Sequence, residues 1–125
     1  MQPAKSIAIG LTAMLLLANA ANPERKLRMD HVQDAIDAIY EAIDAKDPAA
    51  VTVQTRAIAD AFVIEQGLWR DAGKPDRAGW ATDSADRARA IADAAGAQNW
   101  TAASTALGAL NQPCRACHDQ ELPAR

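Results

Sequence analysis

Asn99-Trp100-Thr101-Ala102-Ala103-Ser104-Thr105-Ala106-Leu107-Gly108-Ala109-Leu110-Asn111-Gln112-Pro113-Cys114-Arg115-Ala116-Cys117-His118 is the stretch on which the fold turns. At about 100° per residue, Trp100, Ala103, Leu107, Leu110, Cys114 and His118 fall along one face of a helix opened by Asn99 as N-cap. Residues that pack a core and residues that carry chemistry therefore share one stripe. The chemistry lies in the last five residues. C-x-x-C-H is the attachment signal for a c-type haem. Its two thiols add across the two porphyrin vinyl groups, and the His after the second Cys supplies an imidazole nitrogen for iron. Cys114 and Cys117 are the expected attachment points of one covalent haem c, and His118 is its expected proximal ligand. Pro113 lacks an amide proton and its ring clashes with the carbonyl of Ala109. An interruption is therefore expected over 110–113, with the motif on a new turn or short helix.

Three other chemistries share the cysteine spacing. A thioredoxin-like redox pair wants a βαβ setting. A zinc site wants four ligands, and His31, the only other His, stands at the wrong spacing for a Cys₂His₂ set. A disulfide closing so small a loop restrains little of the unfolded chain.

The chain has 125 residues, the size of one domain. Its first twenty read as a cleaved secretory signal peptide. Met1 to Ser6 carries Lys5, Ile7 to Leu17 is apolar apart from Gly10 and Thr12, and Ala18-Asn19-Ala20 sets small residues where a signal peptidase cuts. The apolar run is short for a hydrocarbon layer about 30 Å thick, so stable membrane insertion is not expected. Cleavage after Ala20 leaves a domain of residues 21–125 on the outer, periplasmic side of the inner membrane, where haem is attached. That domain has 12 basic and 16 acidic side chains, a formal charge of −4. No basic cluster or stripe stands out, which argues against a nucleic-acid partner. The acidic surface suits a basic redox partner and solubility alike.

Alternating runs of Val, Ile and Thr are missing, and Pro and Gly cut the domain into four helical segments. The first runs from about Pro23 to Ala45, with Asn22 as N-cap. It carries Arg25, Met29, Val32, Ile36, Ile39, Tyr40 and Ile43 on one face. The second runs from about Pro48 to Gln66 behind Asp47, with Val51, Thr55, Ile58 and Phe62 in its stripe and Trp69 in the same direction if the helix persists. Gly67 to Pro75 is expected as the longest connection. The third, about Asp76 to Ala95, turns Trp80, Ser84, Arg87, Ile91 and Ala95 to one side, with Gly96 as C-cap. Four segments of some twenty residues, each about 30 Å long, predict an all-α antiparallel four-helix bundle enclosing one covalent haem. Core-side Ala and Ser leave room for it.

A signal peptide, four helices and one C-x-x-C-H in the last helix resemble the class II c-type cytochromes, the cytochrome c-prime family. The resemblance spans residues 21–125. Class I c-type cytochromes carry the motif near the N-terminus, so its place here discriminates. Arg25-Lys26-Leu27-Arg28-Met29 is similar to the family's pattern of an Arg followed four residues later by the residue on the distal side of the haem. Low-spin members carry Met there, so the resemblance implies Met29 as the second iron ligand. The stretch around Trp80, after Lys74-Pro75, resembles the start of the family's third helix. Asp119-Gln120-Glu121-Leu122 departs from the aromatic and basic residues usual after the haem His, and Asp86 stands where an aromatic residue is common.

Met29 is the single Met after residue 20 and falls on the apolar face; its bland reading is core filler, since a flexible thioether fits irregular gaps. Arg25 is the candidate partner of a haem propionate, against the reading of a first-turn Arg whose stem covers apolar atoms. Arg87 and Arg28 are further candidates for that partner. His31 lies away from the stripe. Trp69, Trp80 and Trp100 read as packing residues. The expected function is a periplasmic carrier of single electrons through a low-spin His/Met haem, exchanging them with redox partner proteins. The alternative is a high-spin cytochrome that binds nitric oxide or carbon monoxide at an open sixth site. A thiol–disulfide protein without haem is the third reading. No nucleophile–base pair points to an enzyme. The family often pairs through its first two helices, and the small-residue faces here permit a homodimer.

Overall fold

Three of the four helices begin on a proline whose missing N–H would have had no partner in a first turn. The computed structural model describes residues 22–121, which form α1 (Pro23–Asp44), α2 (Pro48–Asp71), α3 (Pro75–Gly96) and α4 (Trp100–Glu121). There is no strand among them. The signal peptide expected over 1–20 lies outside the described residues, as do Leu122 to Arg125. Side-chain oxygens of Asn22, Asp47 and Asn99 accept from the backbone N–H of Arg25, Ala50 and Ala102, each at 3.0 Å. Lys74, at the N-cap position of α3, makes no such bond.

The three connections are one structure used three times. Each spans three residues: 45–47, 72–74 and 97–99. In each, the second residue is left-handed: Lys46 at φ 53°, Gly73 at 70° and Gln98 at 55°. Lys46 N–H donates to the carbonyl of Ile43, and Asp47 N–H to that of Ala42. Gly73 and Lys74 bond Arg70 and Trp69 in the same way, and Gln98 and Asn99 bond Ala95 and Ala94. This is the Schellman pattern, which satisfies the last carbonyls of a helix. Its final residue serves at once as the N-cap of the next helix. Helices of about 30 Å joined by such tight turns must run antiparallel.

Two expected boundaries move. α2 does not stop at Gln66 but continues through Gly67 to Asp71, so the 67–75 segment is no longer than the other connections. Burial of Trp69 on the α2 stripe outweighs the roughly 1 kcal/mol cost of one mid-helix Gly. Gly96 is the last helical residue rather than the cap, and Gln98 takes the left-handed position. A third expectation also fails: α4 is unbroken from Trp100 to Glu121, with Pro113 inside it.

The packing is uneven along the bundle. α3 offers Ala81, Ser84, Ala85, Ala88 and Ala95 to its neighbours, and small side chains let helix axes approach closely. The α2–α3 interface is accordingly the most extensive, followed by α3–α4, while α1 and α4 barely touch. Ile39, Val51, Thr55, Ile58, Ile91, Ala103 and Leu107 close one end of the bundle as a solid core. The buried hydroxyls of Thr55 and Ser84 bond the carbonyls of Val51 and Trp80 one turn back. Tyr40, expected on the inner face of α1, is 50% exposed. At the other end the open α1–α4 seam leads into a cleft. Among the described residues no helix is long and apolar enough to cross a membrane.

Candidate functional site

Antiparallel packing brings the first half of α1, the second half of α2, the first half of α3 and the second half of α4 to one end. There they surround a cleft of about 300 Å³. Its apolar walls include Val32, Ile36, Phe62, Trp80 and Ala81. Arg25, Met29, Cys114, Cys117 and His118 all line it. The five residues singled out in the sequence, 85 and more positions apart between α1 and the Cys pair, thus share one space.

His118 does not occupy the buried stripe expected for it. It is exposed, while Cys114 and Cys117 are half-buried. The stripe of α4 that is buried at Ala103, Leu107 and Leu110 emerges at the seam that α1 leaves uncovered, so the imidazole stands at the rim. His31, exposed on α1, does not line the cleft. The two cysteines are thiols, not joined in a disulfide. Burial pushes the Cys114 thiol above the usual range, and hydrogen bonding with the Ser84 side chain and with its own backbone acts in the opposite direction. No group of three or more His, Cys, Asp and Glu converges as a metal site among the described residues.

The polar end of the cleft rests on a residue that sequence reasoning passed over. Glu65 is buried, its side chain 4% exposed, and an isolated carboxylate there would carry a large desolvation cost. Arg25 Nε donates to Glu65 Oε2 at 2.9 Å. Arg28 donates to Oε1 from Nε at 2.9 Å and lies within 2.8 Å of it through Nη2. Arg25 also stacks on Trp69, its Cζ 3.9 Å from the ring centroid, and Arg77 Cζ is 4.6 Å from the same centroid. The anionic partner that a half-buried Arg25 requires is therefore Glu65 within this chain. The available signal was an acid on an apolar stripe: Ile58, Phe62, Glu65 and Trp69 step along α2 at helical spacing, facing Arg25 and Arg28 on α1.

The other candidate cations separate. Arg28 is committed to Glu65 and does not line the cleft. Arg87 bonds Asp83 and the carbonyl of Ala109, and it too is absent from the lining. Arg77 and Arg115, not considered from sequence, do line it. Trp69 and Trp80 are wall residues, whereas Trp100 packs against the core at the other end. No family model, no curated protein and no solved structure matches this chain.

Proposed function

We propose that this chain is an exported c-type cytochrome of the class II kind, carrying single electrons through one covalent haem. One observation carries the reading: a single cleft is lined by both thiols of the C-x-x-C-H motif, by the imidazole after them and by the one thioether of α1. The donor set fits the group. Cys114 and Cys117 would hold it as thioethers, with His118 and Met29 as the iron ligands. A cleft of this size with apolar walls is at the small end of cofactor sites, and it opens along the least packed pair of helices, α1 and α4. When bound, the haem supplies a one-electron iron couple, and a His/Met ligand pair is typical of electron transfer.

The chain's own residues have distinct tasks. Val32, Ile36 and Phe62 keep water from the inner wall. Glu65 and Trp69 fix the guanidinium of Arg25 at the polar end, where its remaining N–H groups suit a carboxylate. His118 is exposed, so a redox partner docking on the motif edge of the bundle would have a short path for an electron.

The test is export of the full chain in a bacterial host with haem-attachment machinery. One haem per chain in a pyridine haemochrome assay is expected, with the mature protein starting at Ala21 by mass. Protein exported with two alkylatable thiols and no haem overturns the reading in favour of a thiol–disulfide protein. Met29→Leu is expected to abolish the methionine–iron charge-transfer band of the oxidised protein and turn it high-spin. A wild-type spectrum that is already high-spin, and indifferent to Met29→Leu, replaces the electron carrier with the gas-binding alternative.

A further inference from the structure

A proline inside a helix leaves the carbonyl four residues before it without its usual donor. For Pro113 that carbonyl belongs to Ala109. In this chain it does not stay without one: Arg87 of α3 donates to it from Nη1 at 3.2 Å. The same guanidinium is braced from its other side, Nε donating to Asp83 Oδ1 at 2.9 Å one turn earlier on α3. A single charged donor from the neighbouring helix, itself held by Asp83, thus stands in for the missing amide. The proline it compensates lies one residue before Cys114. Arg87 is half-buried, away from the cleft, and α4 runs unbroken through Pro113.

We propose that Arg87 is a positioning residue for the Cys114–His118 turn: it replaces the backbone hydrogen bond that Pro113 removes and so fixes where α4 presents its thiols and imidazole. The contact has a second consequence. The bond ties the turn to α3, which also carries the Ser84 and Trp80 that border Cys114 in the cleft, so motif and wall move together. For the role given to the turn, the inference rests on the haem reading; the coupling between Arg87 and Pro113 does not.

The test is a double-mutant cycle on the full chain with Arg87→Leu, Pro113→Ala and the pair. Pro113→Ala restores an amide to serve Ala109, so Arg87 is then redundant for this bond, while its loss of Asp83 is common to both backgrounds and cancels. In the wild-type background Arg87→Leu is expected to raise the unfolding constant in urea on the order of tenfold, as for a half-buried hydrogen bond from a charged group. In the Pro113→Ala background the rise should be about threefold or less. Native-state labelling of Cys114 by a maleimide in the haem-free chain reads the local turn. It should quicken on Arg87→Leu and return towards the wild-type rate when Pro113→Ala is added. In haem-loaded protein the same rescue is expected in the methionine–iron charge-transfer band. Equal effects of Arg87→Leu in both backgrounds, in urea and in labelling, overturn the proposal. If the chain takes up no haem, the functional reading fails on its own assay while the urea and labelling cycles still decide this one.

Discussion

Glu65 has almost no access to water, so its charge is tolerated only because two guanidinium groups surround it. The arrangement is asymmetric, with two cations on one anion. Removing the carboxylate charge leaves Arg25 and Arg28 facing each other and the bundle interior without compensation. Glu65→Gln keeps the shape of the side chain and should cost about 2 kcal/mol of unfolding free energy, below the usual 3–5 for a buried pair because both arginines retain some exposure. Urea denaturation measures it, and a change within about 0.5 kcal/mol would show that the pairs contribute no more than surface ones. Met29→Leu belongs at the same scale with the opposite expectation. Met29 is half-buried beside the core, and a Met-to-Leu swap conserves volume, so the haem-free chain should lose less than about 1.5 kcal/mol. Any large spectral change in the same variant is then a ligand effect and not a packing one.

At the scale of the element, the three Schellman turns set the helix lengths, and their left-handed positions are unequally filled. Gly73 occupies its turn at no steric cost, whereas Lys46 and Gln98 hold a conformation that crowds their Cβ atoms against the backbone. Lys46→Gly and Gln98→Gly should each stabilise the bundle by about 0.5–1 kcal/mol, and Gly73→Ala should destabilise it by about 1 kcal/mol, all read as shifts in the thermal midpoint. Helix starts were legible beforehand because Asn22, Asp47 and Asn99 are side-chain caps and Pro23 and Pro48 follow two of them. Helix ends were less legible. A left-handed Lys or Gln carries no distinctive residue type, and Gly67 looks like a breaker until the buried Trp69 two residues on is counted. Pro113 misled for a related reason. Its cost is local and visible in sequence, but its compensation is Arg87, twenty-six residues earlier on another helix.

Across the whole molecule, the bundle is a solid core at one end and a cleft at the other, joined along a seam where α1 and α4 hardly meet. The stripes of α1 and α4 pointed Met29, Cys114 and His118 inward; all three line the cleft, His118 only at its exposed rim. The openness of the seam, and with it the exposure of His118, depends on how α1 leans on α2, which no single stripe encodes. This architecture makes a prediction about where stability resides. Local opening follows contact density, so amides of α1 over 23–36 should exchange with solvent well before those of α2 and α3, whose interface is the most extensive. In a Cys114→Ala, Cys117→Ala chain, which cannot tether a group, that difference should be largest. A haem held between His118 and Met29 would cross-link the two helices that the polypeptide leaves apart. Hydrogen exchange by mass spectrometry on the loaded wild type should therefore show added protection concentrated in 23–36 and 110–121, with little change in the α2–α3 interface. Protection spread evenly over all four helices would mean that loading stabilises the bundle globally, and that the seam is not where the group is gripped.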